Sequence, residues 1–147
     1  MYFVSGSVLA DSLLLQNPLL RQPPERKSAV ILENDTMNYN DKKFRPICNT
    51  ENGETSDETL FLYKQVENIL TSEYSGGKIK YGHLIGLVDH SGNIKMHYHQ
   101  VNDKDELMTG ICISKPEILK DGKIRLHENW EWTSGDKSKG TSIIEEQ

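Results

Sequence analysis

From Glu58 onward the chain is a succession of short runs, many alternating apolar and polar, each closed by a turn of Gly, Asn, Asp or Ser. That punctuation admits strands and hairpins, and no helical period of ten or more residues runs through it. Thr59–Val66 ends at Glu67-Asn68, and Ile69–Tyr74 at Ser75-Gly76-Gly77, whose glycines supply the positive φ of a tight turn. Lys78–Asp89 turns at His90-Ser91-Gly92-Asn93 into Ile94–Val101. A polar turn from Asn102 to Glu106 leads into Leu107–Ser114, and Pro116 is expected to end or edge that pairing. Asp121-Gly122 reads as a two-residue hairpin before Ile124–Thr133. The loop Ser134 to Gly140 precedes a last run, Thr141–Glu146. With a first strand near Phe44–Asn49 there are about eight strands. The expected fold is all-β, an antiparallel up-and-down barrel of the calycin or lipocalin kind, which leaves no exposed edge. A curved open sheet or a two-layer sandwich is the alternative. Gly82 and Gly86, inside one strand, read as bulges or bends.

The first 36 residues differ from the rest. They hold three of the five prolines and one of the eleven glycines, and Pro23-Pro24-Glu25-Arg26-Lys27 has nothing to pack. They read as a flexible arm or as an upstream extension, with Met37 the natural start. Residues 37–147 form the barrel domain. The apolar run around Leu13-Leu14-Leu15 is broken by Asp11, Gln16, Asn17 and Pro18, with no Lys or Arg before Arg21, which argues against a secretory signal. The net charge of −5 disfavours nucleic acid and anionic membranes as partners. The mean hydropathy of −0.62 leaves no apolar helix long enough to span a bilayer. Two lone cysteines, Cys48 and Cys112, make neither a disulfide framework nor a zinc motif. A cytoplasmic location is the resulting expectation.

Alternation sorts the side chains of two strands into faces. Ile124, Leu126, Glu128, Trp130 and Trp132 point one way; Arg125, His127, Asn129, Glu131 and Thr133 point the other. Ile94, Met96, Tyr98 and Gln100 oppose Lys95, His97, His99 and Val101. The first set of each pair is the inner one. Glu128 therefore falls among apolar inner residues, where an unpaired carboxylate costs several kcal/mol. It must be hydrogen-bonded, paired or neutral, with Tyr98 and Gln100 as the expected partners and Trp130 as an apolar wall. Met96, Tyr98, Gln100, Glu128 and Trp130 are the expected ligand-binding set, and Glu128 is the one candidate for a catalytic group. A partly wet Glu128 at an unliganded barrel mouth is the bland alternative.

Other groups carry weaker signals. His97, His99 and His127, with His83, could hold a divalent metal, although alternation turns the first three outward onto a solvated face. The loop Ser134-Gly135-Asp136-Lys137-Ser138-Lys139-Gly140 offers Lys137 and Lys139 to an anion, or is a polar hairpin. Nothing near Cys48 or Cys112 would lower a thiol pKa, so neither reads as a nucleophile.

Gly82-His83-Leu84-Ile85-Gly86, Leu107-Met108-Thr109-Gly110, Asp121-Gly122-Lys123-Ile124-Arg125-Leu126, Trp130-Glu131-Trp132 and the Ser134–Gly140 loop together resemble a family of short bacterial proteins often labelled N-acetylglutamate synthase. The resemblance covers residues 37–147. It implies acetyl transfer from acetyl-CoA, as a substrate, to glutamate. In that case Glu128 would act as base and Lys137 and Lys139 would meet the cofactor phosphates. Read from the residues themselves, the chain is a barrel that binds a small, partly apolar molecule in its lumen, with no cofactor expected. A filled barrel acting as an interaction module is a third possibility. Oligomeric state is not legible.

Overall fold

The turns divide the chain into eight strands: β1 Lys43–Asn49, β2 Leu60–Val66, β3 Ile69–Gly76, β4 Ile79–Val88, β5 Ile94–Asn102, β6 Leu107–Ile118, β7 Ile124–Trp132 and β8 Lys139–Glu146. The structure, a computed structural model, describes residues 37–147. Residues 1–36, read above as an arm or an upstream extension, lie outside them. Each strand pairs antiparallel with the next, and β8 returns to β1 over Phe44↔Glu146 to Asn49↔Ser142, closing the barrel. The open sheet and the sandwich are thereby set aside.

The structure refines three local expectations. Pro116 edges the pairing, as expected, without ending β6, which continues to Ile118 with Pro116 opposite Leu126. β5 stops opposite Ser114, so β6 has a neighbour on one side only at Pro116, the setting in which a sheet tolerates proline. The Asp121-Gly122 hairpin is wider than two residues: Leu119 N–H donates to Lys123 O across it, and Gly122 N–H to Leu119 O. Gly86 is not a bulge, since pairing runs unbroken through it, and Gly82 borders one: the irregularity of β4 lies between Ile79 and Gly82 on the β3 side and between Ile79 and Tyr81 on the β5 side.

What those glycines do is make room. Gly82 faces inward opposite Tyr74, Gly110 opposite Tyr98 and Gly140 opposite Trp130. In each case an added Cβ would overlap the neighbouring strand's ring. A large side chain thus lies over the bare backbone of the next strand.

The two ends of the barrel differ. At the end holding the β2–β3, β4–β5 and β6–β7 turns, Phe44, Tyr63, Leu70, Ile94 and Leu126 are fully buried. Tyr39, from the segment before β1, plugs that end. Its hydroxyl donates to Gly92 O at 2.6 Å and its backbone N–H to Gln65 Oε1 at 2.8 Å. The opposite end stays hollow. Both alternation readings hold: Ile94, Met96 and Gln100 are buried with Tyr98 half-buried, while Lys95, His97 and His99 are exposed.

Gly110→Ala is expected to destabilise the fold by about 1–3 kcal/mol, because the Tyr98 ring has to move. The urea unfolding midpoint measures this. An unchanged midpoint would mean that the ring has slack.

Candidate functional site

The hollow end holds a cavity of about 50 Å³, room for ~3–5 water-sized occupants. Its floor is set by Glu128 on β7. Register places Ser114 of β6 on one side of it and Ser142 of β8 on the other. The Ser114 hydroxyl donates to Oε2 and the Ser142 hydroxyl to Oε1, each at 2.9 Å. The expectation that Tyr98 and Gln100 serve Glu128 is corrected, since the partners are the two directly cross-strand serines. Burial pushes the Glu128 carboxyl above its ordinary value of 4.5, and the serine bonds, which favour the charged form, oppose that shift.

The walls are aromatic. Phe61 and Tyr74 stack at 4.6 Å between ring centroids. Trp132 meets both Tyr98 and Trp130 edge-on at 5.6 Å. Tyr74 donates its hydroxyl to Gln100 Oε1 at 2.8 Å. Met96 and Leu84 complete the apolar lining. The five residues expected from the sequence, Met96, Tyr98, Gln100, Glu128 and Trp130, all line this one cavity.

The roof is the loop between β1 and β2, residues 50–59. Glu54 reaches down from it to accept from Gln100 Nε2 at 2.9 Å and from Asn102 Nδ2 at 2.7 Å. Trp132 Nε1 donates to Asn52 O at 3.0 Å, and Asn52 Nδ2 donates to Ser138 Oγ and Lys139 O, both at 2.9 Å. At the strand end, Asn49 accepts from Trp130 Nε1 at 3.2 Å and donates to Thr55 O at 3.1 Å. These bonds tie the loop to β5, β7 and β8, and of the side chains that make them Asn49, Glu54, Gln100, Trp130 and Trp132 also line the cavity. Sequence reasoning missed Glu54 and Asn49, which no periodicity marks. It also missed Phe61, Tyr74, Ser114 and Ser142, which alternation extended to the other strands would have turned inward.

The weaker candidates disperse. His83 and His99 pair on the outer wall with ring centroids 5.5 Å apart, and His97 lies on the same outer face. His127 is elsewhere, with Nε2 2.8 Å from Glu117 Oε2. The triad His97, His99 and His127 is therefore not assembled. Among the described residues no three His, Cys, Asp or Glu side chains gather as a metal site. Lys139 is exposed, its Nζ 3.8 Å from Glu131 Oε2. Lys137 sits at φ 55° in the β7–β8 loop. Neither lysine lines the cavity. Cys112 does, and burial pushes its thiol well up, away from the reactive thiolate. Cys48 is exposed.

A family model described as avidin-like protein matches residues 37–147. No curated protein matches the chain. Nothing in these findings supports the N-acetylglutamate synthase label implied by the sequence resemblance.

Glu128 sets a pH dependence whose sign follows from its raised pKa. The folded state keeps a proton that the unfolded chain gives up, so stability falls as pH rises from 4.5 through the folded value. Below 4.5 both states are protonated and the penalty is absent. Glu128→Gln is expected to gain on the parent protein across that window and to hold a constant difference below it. Urea midpoints over a pH series give the comparison. A gap that does not widen with pH would mean that Glu128 titrates normally.

Proposed function

The chain belongs to the avidin-like family, and from that premise we propose that its barrel binds a compact small molecule in the lumen. The observation that carries this reading is the aromatic cavity with an inward-facing, half-buried carboxylate at its floor. Closing an eight-stranded barrel does not require a hollow, since such interiors can be filled by side chains. Here one half is filled and the other is kept open around polar groups, the pattern of a ligand site. Avidin-like barrels take small ligands such as biotin. A head group bearing N–H donors suits Glu128, and a flat apolar body suits Trp130 and Tyr98. At about 50 Å³ the cavity admits a compact head group.

Acetyl transfer draws no support from the site. Lys137 and Lys139, the groups that would meet the cofactor phosphates, stand away from the cavity. The interaction-module reading has one observation in its favour. Exposed Ile69, Ile85, Leu87, Ile111 and Ile113 lie on the outer wall of β3–β6, around His97. It is compatible with lumen binding, and a mass that stays monomeric as concentration rises would remove self-association as the use of that wall.

The chain has two tryptophans, and both line the cavity, so their fluorescence reports its occupancy. Titration with biotin and with 2-imidazolidone, a minimal cyclic urea, is expected to shift that emission for at least one compound. Native mass spectrometry of the freshly purified protein is expected to show a retained adduct. Trp130→Ala should weaken binding at least tenfold. Binding that survives this change undiminished would place the ligand outside the lumen.

A further inference from the structure

The charges that line the cavity are of one sign. Glu128 stands at its floor and Glu54 at its roof, while no Lys, Arg or His lines it. Neither carboxylate has an ion-pair partner among the described residues, although six Lys or Arg ion pairs form elsewhere on the barrel. Glu54 is held by two amides and Glu128 by two hydroxyls, all neutral donors. A carboxylate drawn out of water without a counter-charge is costly unless it takes a proton or meets a cation. Between the two carboxylates stand the rings of Tyr98, Trp130 and Trp132, whose faces attract cations.

We infer that the lumen selects a cationic ligand, a protonated amine carried on a compact apolar or aromatic body. Its ammonium group donates to Glu128 and lies against the indole and phenol faces, and Glu54 closes over it as a second negative charge. The same two carboxylates oppose an anionic group placed between them. This selectivity rests on the lumen-binding reading and specifies the charge of its ligand.

Three probes of nearly equal shape separate the terms: benzylammonium, benzyl alcohol and benzoate. Titrated against tryptophan fluorescence, benzylammonium is expected to bind at least tenfold more tightly than benzyl alcohol, and benzoate more weakly than either. Glu128→Gln and Glu54→Gln should each cut the preference for benzylammonium over benzyl alcohol by fivefold or more. Glu54 is on a loop, so its variant keeps the comparison valid if Glu128→Gln unfolds the barrel, which thermal melting reports. Equal or tighter binding of benzyl alcohol or benzoate overturns the inference, as does a preference unchanged in a folded variant. If benzylammonium fails while biotin or 2-imidazolidone shifts the emission, cation selectivity falls and lumen binding stands. If none of the five compounds binds, both fall.

Discussion

The barrel depends on pairing a large side chain with a glycine across adjacent strands. Inward positions of eight strands crowd one another, and a ring on every strand would overfill the interior. Tyr74 over Gly82, Tyr98 over Gly110 and Trp130 over Gly140 settle this by giving each ring the space of two positions. The rings lie along the wall instead of across the lumen. The cavity is the space this leaves, and its aromatic walls follow from the same arrangement. Packing and site are therefore one feature: a Cβ at Gly110 would press the Tyr98 ring and alter both.

Polarity is graded along the barrel. β7 runs from Ile124 and Leu126 through Glu128 to Trp130 and Trp132, and Glu128 marks the boundary between the filled half and the hollow half. Its serines come from the strands on either side at the same level, so the barrel supplies the donors without any loop. Two neutral hydroxyls satisfy the hydrogen-bonding capacity of a carboxylate only in part, and they bring no charge. That shortfall is tolerable in a folded protein if the group carries a proton or meets a cation. The raised pKa of Glu128 and the proposed preference for a cation are two consequences of one missing counter-charge.

How much of this the sequence discloses follows from periodicity. Alternation along Ile94–Val101 and Ile124–Thr133 sorts the inner faces correctly, including the inward direction of Glu128, because side-chain direction in a strand is a local property. The partners of Glu128 depend on register between strands. Register becomes readable only once the closure of the barrel is known, which is why Tyr98 and Gln100 were named in place of Ser114 and Ser142. Gly82 and Gly86 are legible only in part for a related reason. A glycine signals that something must come close, and the sequence does not say whether it is a bend of its own backbone or a neighbour's ring. Glu54 and Asn49 lie in or beside a loop without a period, and their roles arise from contacts with β5 and β7 that no local pattern encodes.

The roof loop sits where the barrel is least firmly closed. β1 and β2 pair only at Lys43↔Leu62 and Phe44↔Phe61, and the chain leaves the wall directly beyond, at the hollow end. Every other seam is longer, so opening that needs few broken ladder bonds is concentrated beside the cavity. What holds the loop down is mostly side-chain hydrogen bonds from Gln100, Asn102, Trp130 and Trp132, groups that also face or flank the cavity. A ligand that engages Trp130 and Trp132 orders the donors on which the loop rests. Closure of the loop in turn brings Glu54 against the ligand. Occupancy and closure favour each other without any change in the barrel wall, because the wall is fixed by its glycine-backed rings.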